Sequence, residues 1–234
     1  MIHAPSLAIG AGIASVAIIV VFLAFNIFND KPELTVEPTP VIQEAGPAKI
    51  TAATFMENGS PILGDPNAPI TLVEFGDYQC YFCNQFFHTT EDNLFKNYVD
   101  TGKVKVIFKD YTIIGPDSIT AANAAHCADD QGLFWKYHDT LYNHWDGENS
   151  GWASSENLLK FAKDVGLDTD KFSKCTIDSK HNTIIVNSNQ DAKDLGLTGT
   201  PAFFIIGPDN KVTKIGGAQP YDVFEKIFNS VLEK

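Results

Sequence analysis

The chain has 234 residues, 44% of them hydrophobic and 20% charged, with a formal net charge of −12. Those proportions suit a globular protein with one ordinary core and something extra, and they exclude a disordered chain. All 17 basic residues are lysine, so the arginine forks and basic face of a nucleic-acid binder are missing and no nucleic-acid partner is expected.

Leu7 to Phe25, "LAIGAGIASVAIIVVFLAF", is a run of 19 residues without a charge. At a helical rise of ~1.5 Å it reaches about 28 Å, close to the thickness of a bilayer's hydrocarbon core. A cleaved signal peptide has a shorter apolar region and a small-residue cleavage site, and "LAFNIFND" offers no such site. Residues 1–28 are therefore expected to form an uncleaved transmembrane helix; a cleaved signal segment is the alternative. The flanking charges orient it weakly. With the cysteines they favour a single-pass protein of the cell membrane whose domain is extracytoplasmic. Residues 29–49, including "NDKPELTVEPTPVIQEAGP", are rich in proline and acid and read as an extended tether.

The domain starts near residue 50. Ile70 to Phe75, "ITLVEF", reads as a buried strand running into "GDYQCYFC". Beyond Cys83 the apolar residues at 86, 87, 94, 95, 98 and 99 keep helical spacing, and Lys103 to Phe108 alternates as a strand does. This is a βαβ unit whose strand-to-helix turn carries Cys80-Tyr81-Phe82-Cys83. A helical block follows over about 115–178, with Ser154 or Ser155 as an N-cap. Asn182 to Leu195 reads as a helix, "PAFFII" and "KVTKIGG" as strands joined by "GPDN", and "YDVFEKIFNSVLEK" as a closing helix. The order β-α-β, helical block, α-β-β-α predicts an α/β, thioredoxin-like fold with an inserted helical domain in residues 50–234.

A Cys-x-x-Cys pair can hold zinc, close a structural disulfide or shuttle electrons. Four cysteines suggest two disulfides in an oxidising compartment, with three possible connectivities. At a helix start Cys80 would face unpaired N–H groups and the positive end of the helix dipole, which favour its thiolate. Cys83, one turn further in, is suited to resolve a mixed disulfide. A structural zinc site needs a second ligand pair, and Cys127 and Cys175 are not in knuckle spacing. Redox catalysis therefore leads, with no metal and no cofactor.

Other residues leave their readings open. Thr200-Pro201 is on its own most simply a trans proline beginning a strand; a cis bond would present the Thr200 backbone to the cysteines. Glu74 is either a buried acid handling protons near Cys83 or an edge-facing glutamate. His88, His126, His138, His144 and His181 have no metal-type spacing and read as surface or capping residues. Phe134, Trp135, Tyr137, Leu141 and Trp145 read as core.

Three stretches, "GSPILGDPNAPITLVEFGDYQCYFC", "AANAAHCADDQGLFWKYHDTLY" and "GLTGTPAFFI", resemble the DsbA-like thiol-disulfide oxidoreductases in the branch with membrane-anchored members. The likeness covers Gly59 to Lys234. It implies that Cys80 attacks, Cys83 resolves, Glu74 is the buried acid and Thr200-Pro201 the cis-proline pair. Lys109 falls near a basic position of the family. Cys127 and Cys175 would form a structural disulfide, stabilising by roughly 4 kcal/mol in the chain-entropy model. Many members carry proline or a Pro-His pair between the cysteines; Tyr81 and Phe82 stand there instead, so their oxidising strength does not carry over.

The function implied is a membrane-tethered monomer that introduces disulfides into reduced or unfolded secreted clients. A quinone-linked membrane partner of the DsbB or VKOR kind would reoxidise it. A disulfide isomerase or reductase with the same site is one alternative. A thioredoxin-fold metal-binding chaperone using Cys80, Cys83 and a histidine is another.

Overall fold

The computed structural model describes residues 52–233. The expected anchor and tether lie outside that range, and among the described residues no helix is long and apolar enough to cross a membrane. Strand β1 (Ile70–Gly76) is buried along its whole length. Its neighbours explain this. β2 (Val104–Asp110) pairs parallel on one side, β3 (Ala202–Ile206) antiparallel on the other, and β4 (Val212–Gly216) continues from β3, giving the order β2-β1-β3-β4. A central strand covered on both faces needs a near-continuous apolar sequence, which "ITLVEF" supplies except at Glu74.

Strand alternation separates two layers. Ile70, Leu72, Val104, Val106, Phe203 and Ile205 pack with Phe86, Leu94 and Tyr98 of α2 (residues 81–99) and Phe224 and Phe228 of the final helix Tyr221–Leu232. Val73, Phe75 and Phe204 face the other way, onto Phe55 of α1 (Ala52–Met56), Ala192 and Leu197. Helix α2 changes to π-helical turns at Phe87–Glu91 and Phe95–Val99, which periodicity does not foretell. The segment 60–63 lies along the outer edge of β2: Ser60 N–H donates to Phe108 O at 2.8 Å, and Leu63 and Val106 exchange two hydrogen bonds of 3.0 Å.

Between β2 and α7 (Asn182–Asp194) stand four helices: α3 (Pro116–Asp129), α4 (Phe134–Asn143), α5 (Ser155–Val165) and α6 (Thr169–Ile177). Ala121, Ala122, Ala124, Ala125 and Ala128 of α3 are fully buried, and their small side chains let neighbouring helices come close. Ser154 is the cap of α5, its Oγ accepting from Asn157 N–H, and Gly166 ends the helix at a φ of 92° that glycine adopts freely. A disulfide between Cys127 and Cys175 ties α3 to α6, with the Cα atoms 5.8 Å apart.

The histidines divide in a way their spacing does not reveal. His88 and His144 are exposed. His126 and His138 are buried, which corrects their reading as surface or capping residues: the helical block folds over β2 and encloses both. His126 pairs with Asp110 at 2.7 Å. His138 Nδ1 shares a hydrogen bond of 2.9 Å with the Tyr78 hydroxyl. Phe134, Tyr137 and Leu141 are core as expected, whereas Trp135 and Trp145 are half-buried.

Candidate active site

The turn between β1 and α2 is set by Asp77. Its carboxylate accepts from Gln79 N–H at 2.9 Å and from Ile113 and Ile114 N–H at 2.8 and 3.0 Å. Cys80 N–H donates to Asp77 O at 2.9 Å. The chain thereby enters α2 with Cys80 as its N-cap, at φ −71° and ψ 124°. The expected strand-to-helix placement is the observed one.

Cys80 is 4% exposed and Cys83 1%, flanked by Tyr81 and Phe82, which are 50% and 55% exposed. The Cys83 thiol donates to the Cys80 sulfur, and this bond is the largest effect pulling the Cys80 thiol down to about 6; Thr200 and the N–H groups of Cys83 and Phe82 add to it, against burial. Cys83 moves the other way: burial, and then its bond to Cys80, push its thiol well above the usual range. The asymmetry makes Cys80 the thiolate at neutral pH and keeps the proton on Cys83.

Thr200 arrives from the opposite end of the sequence. The Thr200-Pro201 peptide bond is cis, and the Thr200 carbonyl accepts from Cys80 Sγ at 3.4 Å. Pro201 has no N–H and stands just before β3, where a ladder donor is not needed.

Glu74 is 3% exposed and in register with Phe108 of β2 and Phe203 of β3. Of its two open readings the structure takes the buried one: β1 is central, not an edge. Burial, and secondarily the charge of Cys80, raise its carboxyl to about 8.

Lys109 is not brought to this site. It is in register with Phe75, one residue on from Glu74, and so faces the other side of the sheet. Its ammonium, fully buried, pairs with Asp191 at 2.7 Å and donates to the carbonyls of Thr54, at 2.9 Å, and Glu57. Lys109 is an anchor for the segment preceding the sheet.

Several contacts of the motif escape pattern reading. Trp145 Nε1 donates to Gln79 O at 2.8 Å, Asn149 N–H to Gln79 Oε1 at 2.8 Å, Tyr81 N–H to Glu148 Oε1 at 3.0 Å, and Asn84 Nδ2 to Tyr142 O at 2.8 Å. All four join the motif to the helical block, so no local signal reveals them. Asp77 is different, because an aspartate opening "DYQC" is a turn signal that could have been read. Among the described residues, the two groups of His, Cys, Asp and Glu side chains close enough to share an ion are Cys127, Cys175 and His181, and Glu91, His138 and Asp139. Neither includes Cys80 or Cys83.

Comparison with known proteins agrees with this geometry. The Thioredoxin family model matches residues 56–228. The probable disulfide bond formation protein D of Bacillus anthracis is 29% identical over 200 residues, covering 82% of this chain and 84% of that protein. The disulfide bond formation protein D of Bacillus subtilis is 28% identical over 159 residues, 67% of this chain and 70% of that one. The crystal structure of Wolbachia pipientis alpha-DsbA1 superposes with a TM-score of 0.66 at 31% identity, covering 74% of this chain and 90% of that one.

Proposed function

The chain belongs to the thioredoxin family in its DsbA-like branch and is a thiol-disulfide oxidoreductase; on that premise we propose that it acts as a dithiol oxidase, donating a Cys80–Cys83 disulfide to proteins outside the cytoplasm. One observation carries this reading. Cys80 caps the start of α2 and lies against the cis Thr200-Pro201 bond, and there its thiol is pulled down to about 6 while that of Cys83 is pushed up. A pair whose reduced form is stabilised as a thiolate gives up its disulfide readily, which makes it an oxidant.

The steps follow from the two sulfurs. A client thiolate attacks Cys80 Sγ, the Cys80–Cys83 bond breaks, and Cys83 leaves with the bonding electrons. Cys83 then needs a proton. Glu74, raised to about 8, holds one at neutral pH and is the acid that supplies it. A second client thiolate attacks the client sulfur of the mixed disulfide and expels Cys80, whose low pKa makes it the better leaving group. The client gains a disulfide and the enzyme is left reduced by two electrons, with Cys80 a thiolate and Cys83 a thiol.

The uncharged run Leu7 to Phe25 supports a single-pass membrane tether, and the four cysteines support placing the domain on the extracytoplasmic side. Two-electron reoxidation by a quinone-linked membrane protein of the DsbB or VKOR kind completes the cycle. Equilibration with glutathione tests the reading. A potential well above the glutathione couple is expected; one near cytosolic thioredoxin would make the protein a reductase and overturn it.

A further inference from the structure

The loop between α4 and α5 crosses the start of α2 and is fastened to it on both sides of Cys80. Trp145 and Asn149 bind Gln79, the residue before Cys80. Glu148 Oε1 accepts the N–H of Tyr81, the residue after it, at 3.0 Å. The Trp145 ring also packs on the Tyr81 ring, with centroids 5.9 Å apart. Tyr81 is the first residue of α2, so its N–H is among those that a helix start leaves unpaired.

Those unpaired groups are what a thiolate at the N-cap draws on. The groups that favour the Cys80 thiolate are all neutral: the Cys83 thiol, Thr200 and the N–H groups of Cys83 and Phe82. Three acids stand around it. Glu74 is buried beneath it and protonated near neutral pH. Asp77 is committed to three N–H groups of the turn and of the segment after β2. Glu148 is exposed and places its carboxylate on the helix end itself.

We propose that Glu148 is a positioning residue that sets the redox potential of the Cys80–Cys83 pair, its charge making the disulfide less oxidising than the bare helix end would. This rests on the redox reading of the pair and adds a group from the helical block to it. In the exchange with glutathione, the disulfide and two glutathione thiols give the dithiol and one glutathione disulfide. A negative charge beside Cys80 destabilises the thiolate on the dithiol side, so the equilibrium moves toward the protein disulfide. Charges at a helix terminus of this kind shift equilibria by about two- to fivefold, and salt screens the effect.

The test uses the full chain in detergent. Glu148→Gln keeps an oxygen to accept the Tyr81 N–H and removes the charge. Glu148→Ala removes both. Asp146→Asn removes an exposed acid of the same loop and controls for net charge. Two quantities are read: the glutathione equilibrium constant, and the pH midpoint of iodoacetamide alkylation of Cys80. Glu148→Gln and Glu148→Ala should both lower the midpoint and make the disulfide about two- to fivefold easier to reduce, more than Asp146→Asn does, with the difference shrinking in high salt. If Glu148→Gln matches wild type while Glu148→Ala does not, the residue is only a hydrogen-bonding cap. That result overturns the proposal, as does an opposite shift or one no larger than that of Asp146→Asn. The wild-type potential tests the oxidase reading separately, since the role of Glu148 is read from differences between variants.

Discussion

When protonated, Cys80 Sγ donates to the Thr200 carbonyl at 3.4 Å, across 120 residues of sequence. The bond links the first half of the fold to the second at the point where the chemistry occurs. The Thr200 side chain also favours the thiolate. Thr200→Val should raise the alkylation midpoint of Cys80 by a fraction of a pH unit and leave the fold intact. An unchanged midpoint would assign the whole effect to Cys83 and the helix N–H groups.

The division of labour between the cysteines predicts opposite phenotypes. Cys80→Ser should abolish oxidation of a reduced test protein. Cys83→Ser should retain attack and accumulate mixed disulfides between Cys80 and clients, visible on non-reducing gels. In the wild-type dithiol, alkylation of Cys80 should titrate with a midpoint near 6, from the lowered thiol. If Cys83→Ser captures no client, the roles are reversed or absent.

Glu74 predicts a stability that depends on pH. Its folded pKa of about 8 lies above the 4.5 of an ordinary glutamate, so the folded protein binds the extra proton in between. Stability is full below the unfolded pKa and falls as pH rises through about 4.5 to 8. Glu74→Gln removes that loss and should stabilise the reduced protein by about 5 kcal/mol above the upper limit. It should also slow the disulfide exchange that requires a proton on Cys83. Denaturant titrations at acid and alkaline pH check the first expectation, and stopped-flow reduction the second. A variant no more stable at high pH would show that Glu74 finds a charge partner.

Lys109 and Asp191 form a pair with side chains 0% and 18% exposed. Lys109→Met leaves Asp191 and two carbonyls without their cation and should cost about 3 kcal/mol. The Cys80 midpoint should stay where it is, because Lys109 faces the other side of the sheet. A shift in that midpoint would return Lys109 to the active site.

The Cys127–Cys175 bond closes a loop with a sequence separation of 48. Cys127→Ala with Cys175→Ala should lower stability by about 4 kcal/mol, with the glutathione equilibrium of Cys80–Cys83 unchanged. Calorimetry and redox titration of the double variant separate a structural bridge from a relay.

The sequence revealed whatever depended on neighbours along the chain. The alternation of Lys103 to Phe108, the helical spacing after Cys83 and the position of Cys80 at a strand-to-helix turn are all local patterns, and the structure has them. It stayed ambiguous where burial depends on distant partners. Glu74 could be central or at an edge until Phe108 and Phe203 were seen beside it. Lys109 falls near a basic position of the family that the chain resembles, but a single step of strand alternation turns it away from the site. His126 and His138 looked like surface residues because nothing in their own helices shows that α3 and α4 close over β2. Glu148, 67 positions from Tyr81, had no sequence pattern to mark it.

The segment 60–63 along β2 has a bearing on what the protein can tolerate near it. An exposed strand edge is a template on which extended chains can assemble. The bonds from Ser60 and Leu63 occupy the β2 side of the sheet; β4 is the strand at the opposite edge. Lys211 and Lys214 are exposed beside and on that strand, with Lys214 Nζ held 3.3 Å from the carbonyls of Leu195 and Gly196. The segment 60–63 thus closes one edge of the sheet to pairing with another extended chain.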